Sequence, residues 1–387
     1  MKTLKRIVII LVGIFLLVII SSLILWFAKP NKPLEVIIID KSVKTLNRES
    51  HSSVVWLLNH DKYVNVNNEG YSLSRNYYGF YPLKPKNSGN FEIKHILLSD
   101  IAELTDKSDI LYFADMYGLY ANDWYKNKMD KGPETKLIGG ITNNDYLLLK
   151  YMMDAKKTII IESVFYCEPT EPLNRYRTEE ALDIHPVGWS ARYFKSLDST
   201  SKEMPKWIIK AYKQTNDGKW PFKKGGIVFL KGNSQTVILE EGKHLDNAMP
   251  QIESSKENCT RYSIPDHVSF TNWFELYTAG PNYRSISDFS IKVNSDGASI
   301  LEMNGIPSKF PAILIDKTDK IYFFAGDFAH QNFAYNTYWI AGWLPIKQNA
   351  FFHSESNAFL WNFYYPFMSN LFKEVQKNHK TSLIKLK

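Results

Sequence analysis

The first constraint on this chain is an uncharged apolar run at its start, "IVIILVGIFLLVIISSLILWF", over residues 7–27. As a helix rising 1.5 Å per residue it spans roughly 30 Å, the thickness of a bilayer's hydrocarbon. The rest of the chain must fold as a separate unit. A cleaved secretion signal has a shorter apolar core that ends in small residues. This run instead ends in Trp26, Phe27, Ala28 and Lys29, and no cysteine comes after it for lipid attachment. It reads as an uncleaved signal anchor that contacts the lipid bilayer through residues 7–27. Lys2, Lys5 and Arg6 favour a cytoplasmic N-terminus, against a weaker pull from Lys29 and Lys32. Trp26 suits the outer interface. The expected organisation is a tip and anchor over 1–28, a stiff linker "KPNKP" over 29–33, one exported domain over 34–378 and a tail over 379–387.

The formal charge of +7 falls to +4 once Lys2, Lys5 and Arg6 are set aside with the anchor. No long Lys/Arg block exists, so nothing points to nucleic acid. The chain is 44% hydrophobic and 22% charged, the balance of a globular domain. Its 14% aromatics feed a core and can also line a site for sugars or partners. Cys167 and Cys259 show neither a CxxC nor a zinc spacing, so no metal or cofactor is expected. The two are a disulfide if exported and oxidised, or two free thiols. A lone sequon begins at Asn258.

Along the domain, "LEVIIID" (34–40), "DILYFADMYG" (109–118) and "KKTIIIES" (156–163) are continuous apolar runs typical of buried parallel strands. Helices are read from "RESHSSVVWLLNH" (48–60) and from "TNNDYLLLKYMMDA" (142–155), where Thr142 and Asp145 form a capping pair. This alternation predicts an α/β fold: a three-layer, doubly wound, mostly parallel sheet. Residues 164–224 break the alternation and read as an insertion. Hairpins are expected over 225–242 and 310–327, and helices over 332–344 and 357–378, with Pro366 kinking or dividing the last. Asn362, Pro366, Ser369 and Asn370 argue against a second membrane span there.

Three pieces of this pattern resemble the class I glutamine amidotransferase-like superfamily, a flavodoxin-like fold: "VIIID" with its helix, "LIGGITNNDYLLLKYMMDAKKTIIIES", and "FPAILIDKTDKIYFFAGDFA". The last is similar to the closing hairpin of amidotransferase-like domains that lack catalysis, such as those near β-galactosidase trimerisation domains. The whole chain also resembles single-pass bacterial membrane proteins with an exported domain of this kind. The resemblance implies a catalytic Cys in a tight Gly-x-Cys-x-Gly turn, plus a late His and acid to activate it. Here the strand runs into Glu162 and Ser163. Cys167 comes five positions after Glu162, and only His353 and Glu355 offer a late His-x-Glu spacing. Ser163 as a nucleophile, with His51 or His185 as base, lacks Gly-x-Ser-x-Gly. No catalytic residue is therefore assigned.

Ligands of open α/β sheets gather beyond the carboxyl ends of the strands. Those ends and their neighbourhood supply the candidate ligand-binding residues Asp40, Lys41, Arg48, Glu49, His51, Asp115, Tyr117, Glu162, Ser163 and Asp327, with Trp189 and Arg192 from "GWSARYF" (188–194). Carboxylates, arginines and aromatics at one edge suit a sugar or another polar ligand; Asp115, Glu162 and His51 also have the chemistry of hard-ion ligands. The expected function is a membrane-anchored, non-catalytic binding or scaffold protein of the bacterial cell envelope, beside polysaccharide synthesis or export, with envelope polysaccharide or membrane proteins as partners. The alternative is an envelope glycan hydrolase using the strand-edge carboxylates and His51.

Overall fold

Four apolar runs form adjacent strands because each is covered on both faces and so needs no polar alternation. Val36–Asp40, Thr158–Ile161 and Ile321–Phe324 are buried throughout, and Ile110–Asp115 is buried up to its last residue. The computed structural model describes residues 2–83, 90–125, 135–166, 168–232, 235–247, 249–330, 337–342, 348 and 355–385. Cys167 and His353 fall outside these residues. So the cysteine pairing and the late His-x-Glu spacing receive no structural answer.

Among the described residues the main sheet has ten strands. In spatial order they are His267–Ser269, Gln251–Ser254, Tyr283–Ser290, Lys309–Asp316, Ile321–Phe324, Thr158–Ile161, Ile110–Asp115, Val36–Asp40, Tyr78–Pro82 and Phe91–Lys94. Strands from Ile321–Phe324 to Tyr78–Pro82 pair in parallel, with Ile321, Ile159, Leu111 and Ile37 side by side. The remaining pairs are antiparallel. The sheet is thus mixed, where the sequence pattern predicts a mostly parallel one. Outside the parallel strands the outer strands pair antiparallel across helices, and a hairpin flanks each side of the parallel core, Tyr78–Pro82 with Phe91–Lys94 and Lys309–Asp316 with Ile321–Phe324. In the larger one, Asp316 locks the turn by accepting the amides of Lys320 and Ile321, each at 2.7 Å.

A second sheet of four antiparallel strands, in the order Gln235–Glu240, Gly226–Lys231, Ile184–Phe194 and Phe274–Ala279, draws on the expected insertion and extends beyond it. It is fastened to the main sheet where Phe274 bridges Gly326. The Glu275 amide donates to the Ala325 carbonyl at 2.7 Å, and that of Asp327 to the Trp273 carbonyl at 2.8 Å. These bonds hold the second sheet beside the carboxyl ends of the parallel strands.

Helix Glu49–His60 packs Trp56 against Trp361 at 5.0 Å and Tyr365 at 5.7 Å. Around Pro366 the helical run 355–385 carries a π-turn, Leu360–Tyr364, that absorbs the missing amide and the ring clash. Ser369 and Asn370 are tied inside the domain, to Asp61 at 2.7 Å and to the Tyr262 carbonyl at 2.8 Å. Of the helix expected over 332–344, the described residues 337–342 lie mainly in turns. Their backbone groups are engaged elsewhere: the Tyr338 carbonyl with the His60 ring at 2.8 Å, and the Ala341 amide with the Ser22 carbonyl at 3.3 Å.

The chain also carries one N-terminal helix, Thr3–Ala28, long and apolar enough to cross a membrane.

Candidate functional site

Beyond the carboxyl ends of the parallel strands, a cavity of about 780 Å³ opens between the two sheets. The main sheet contributes Asp115 and, just beyond its strands, Tyr117 and Asp327; helix Glu49–His60 contributes Glu49 and its N-cap Arg48; the second sheet contributes Trp189, Glu275 and Tyr277, with Trp273 just before its last strand; Trp207 comes from helix Lys206–Thr215. Six of the sequence-based candidates thus line one space: Arg48, Glu49, Asp115, Tyr117, Trp189 and Asp327.

The other six candidates lie outside its lining. Asp40 is fully buried; it accepts from Ser50 Oγ and pairs with His51 Nδ1 at 2.5 Å. His51 is equally enclosed, its Nε2 facing the Leu73 carbonyl at 3.4 Å. Lys41 donates to Asp145 at 2.5 Å and to the Gly140 carbonyl at 2.7 Å. That bond fixes the turn before helix Asn143–Asp154, where a Cβ on Gly140 would meet the Pro169 carbonyl oxygen at 2.4 Å. Breaking one side of such a buried pair typically costs about 3–5 kcal/mol. Arg192 lies over Phe194 at 5.1 Å and Trp273 at 5.9 Å, behind the cavity wall.

Glu162 points into the core. Tyr112 donates to its Oε1 at 2.7 Å, Tyr364 to the same oxygen at 3.3 Å, and the Phe328 amide to Oε2 at 3.0 Å. Burial pushes its carboxyl up to about 8; the Tyr112 bond opposes this and the Asp327 charge adds to it. Ser163 Oγ is buried with no hydrogen-bond partner among the described residues. His185, the other base considered for it, is half exposed beside Asp183 and Glu179. Asp115, Glu162 and His51 do not converge on one point, and among the described residues no cluster of His, Cys, Asp or Glu is placed to hold a metal ion. Asn258 of the sequon is buried and donates to the Ile286 carbonyl at 2.8 Å.

Within the cavity the charges are graded. Asp115 accepts from Ser42 Oγ at 2.6 Å and the Tyr117 amide at 2.8 Å. Burial, reinforced by the neighbouring Asp40 charge, still raises its carboxyl to about 7. At neutral pH it is therefore shared between a proton-donating acid and an anion. Burial likewise raises Asp327, opposed first by His330. His330 sits between two carboxylates, Asp327 at 3.5 Å and Glu49 at 3.3 Å. Glu275 accepts from Tyr277 Oη and from the Val164 amide at 3.1 Å.

The strained residue after the strand is Val164, at φ 66. A β-branched residue rarely adopts this left-handed conformation, which costs about 1–2 kcal/mol. The sharp turn therefore presents an isopropyl group, and not Glu162 or Ser163, to the cavity. The sequence reading missed Val164, His330, Glu275, Trp207 and Trp273. His330 had a signal, its place three residues after Asp327; the others come from an irregular turn and from a stretch whose pairing partners are distant.

No protein-family model matches this chain, and no curated protein matches it. Among solved structures it is similar to a ThuA-like protein from Bacteroides uniformis, at 6% identity and a TM-score of 0.35 over 88% of this chain and 92% of that one. A ThuA-like protein from Parabacteroides merdae aligns at 11% identity and a TM-score of 0.34, over 76% and 79%. Likeness at these scores carries no argument about fold or chemistry.

Proposed function

We propose that this chain is a membrane-anchored binding protein of the bacterial cell envelope, with an amidotransferase-like domain outside the cytoplasm and a cavity for a polyhydroxylated ligand such as an envelope oligosaccharide. One observation carries the reading: tryptophans and carboxylates from separate elements meet in one cavity at the carboxyl ends of the parallel strands. Aromatic faces offer apolar area for sugar C–H surfaces. Asp115, Glu49, Arg48 and His330 supply donors and acceptors for hydroxyl groups. The volume suits a ligand of two or three sugar rings. Lys2, Lys5 and Arg6 support a cytoplasmic N-terminus, and the aliphatic Val164 at the turn supports the absence of glutaminase chemistry.

Asp115 favours a second reading, glycan hydrolysis. A carboxyl that burial raises to about 7 is a candidate general acid, with Asp327 or Glu49 as the second carboxyl group of the pair. His51, enclosed by Asp40 and Tyr77, takes no part in this version. The test is to incubate the full-length protein with a panel of envelope-type oligosaccharides and measure binding and new reducing ends together. Saturable binding without new reducing ends is expected. New reducing ends abolished by Asp115→Asn establish the hydrolase, and neither binding nor turnover overturns both readings.

A further inference from the structure

The end of the apolar helix is not a free tether. Ser22 Oγ donates to the Ala341 carbonyl, and the Ala341 amide donates back to the Ser22 carbonyl at 3.3 Å. One turn on, Trp26 is 8% exposed, donates to the His60 carbonyl at 3.0 Å and lies 5.8 Å from the Tyr338 ring. The other face of the same turns is bare: Ile24 and Leu25 are each 62% exposed and Phe27 is 69% exposed.

Length then sets depth. The apolar residues before Ser21, 7–20, give a helix of only about 21 Å, short of the roughly 30 Å a bilayer's hydrocarbon requires. The turns that carry Ser22 and Trp26 must therefore lie in the membrane too. Ser22 is six residues before Ala28, so Ala341 sits about 9 Å below the helix end. The segment "TYWIAG" (337–342) that holds Ala341 has no charged residue. Its Trp339 side chain is 38% exposed and packs at 5.5 Å from Tyr338. The reciprocal bonds with Ser22 satisfy the Ala341 backbone within the protein, as an apolar surrounding demands.

We infer that Thr337–Gly342 is a second membrane-contacting element, which dips beside the anchor helix, places Trp339 in the lipid and sets the domain on the bilayer in one fixed orientation. This rests on the signal-anchor reading of residues 7–27. A nitroxide is placed by Trp339→Cys, or by Phe15→Cys or Leu173→Cys for reference, in full-length protein carrying Cys167→Ser and Cys259→Ser and reconstituted in phosphatidylcholine–phosphatidylglycerol vesicles. Collision rates with oxygen and with a water-soluble nickel chelate give the depth of each label. The expected result is high oxygen and low nickel access at positions 15 and 339, and the reverse at 173. A lipid signal at 15 with nickel access at 339 overturns this inference and leaves the anchor standing. Low access to both reagents at 339 marks burial against protein and also overturns it. Nickel access at 15, or loss of that label by cleavage, overturns the anchor reading and this inference together.

Discussion

Four neighbouring strands of the parallel core end in or just before a carboxylate, and the four have two different fates. Asp115 and Asp327 open onto the cavity. Asp40 and Glu162 are sealed, one by Ser50 and His51, the other by Tyr112, Tyr364 and the Phe328 amide. The open pair can exchange protons and ligands with solvent. The sealed pair knits the strand ends to the helices around them, so an acid at a strand end is not in itself a binding residue.

The largest effect separating the two kinds is the pH dependence of stability. Glu162 binds its proton more tightly in the folded chain, at about 8, than its ordinary value of 4.5. Its favourable contribution is complete below the ordinary value and is lost as pH rises through about 8. Each tenfold change in proton affinity is worth about 1.4 kcal/mol, so the loss is on the order of a few kcal/mol. Denaturant melts between pH 5 and 9 should show wild-type stability falling with pH and Glu162→Gln flattening the curve. An unchanged slope in the variant would place the titration elsewhere. Asp115→Asn should flatten only the part below about pH 7, by a smaller amount because its site is partly open.

A smaller effect comes from Val164. Its left-handed backbone is strained, and Val164→Gly should release that strain for a net gain of about 1 kcal/mol after the added flexibility of the unfolded chain is deducted. A loss of similar size would mean that the valine's packing outweighs the strain. The smallest expected signal is none at all: on the proposed reading, purified protein should release no ammonia from glutamine, because the described residues of the turn, 162–166, carry no thiol.

The runs that became strands were legible because burial on both faces leaves no polar alternation, and the N-terminal helix was legible from its length and lack of charge. The Thr142–Asp145 cap and the hairpin turned by Asp316 were equally local. The mixed character of the sheet was not, since antiparallel pairs such as Gln251–Ser254 with Tyr283–Ser290 join short strands across a helix. Nor could local pattern sort the strand-end carboxylates. Glu162 is turned inward partly by Tyr364, 202 positions away. Asp327 faces the cavity beside a wall whose Trp273 is brought there by backbone bonding between the sheets. Side-chain direction at a strand end depends on what packs there, and that is decided by distant segments.

The most direct test of the cavity's role pairs one residue from each region. Oligosaccharide binding is measured by calorimetry on full-length protein in lipid nanodiscs, for wild type, Trp207→Ala and Glu162→Gln. Trp207 is 57% exposed and lines the cavity, so its removal spares the core. Wild type should bind saturably, Trp207→Ala about tenfold more weakly, or about 1.4 kcal/mol, and Glu162→Gln with unchanged affinity. Absence of binding across a broad glycan panel, or affinity that is lost in Glu162→Gln and intact in Trp207→Ala, would contradict the assignment of the cavity as the working site.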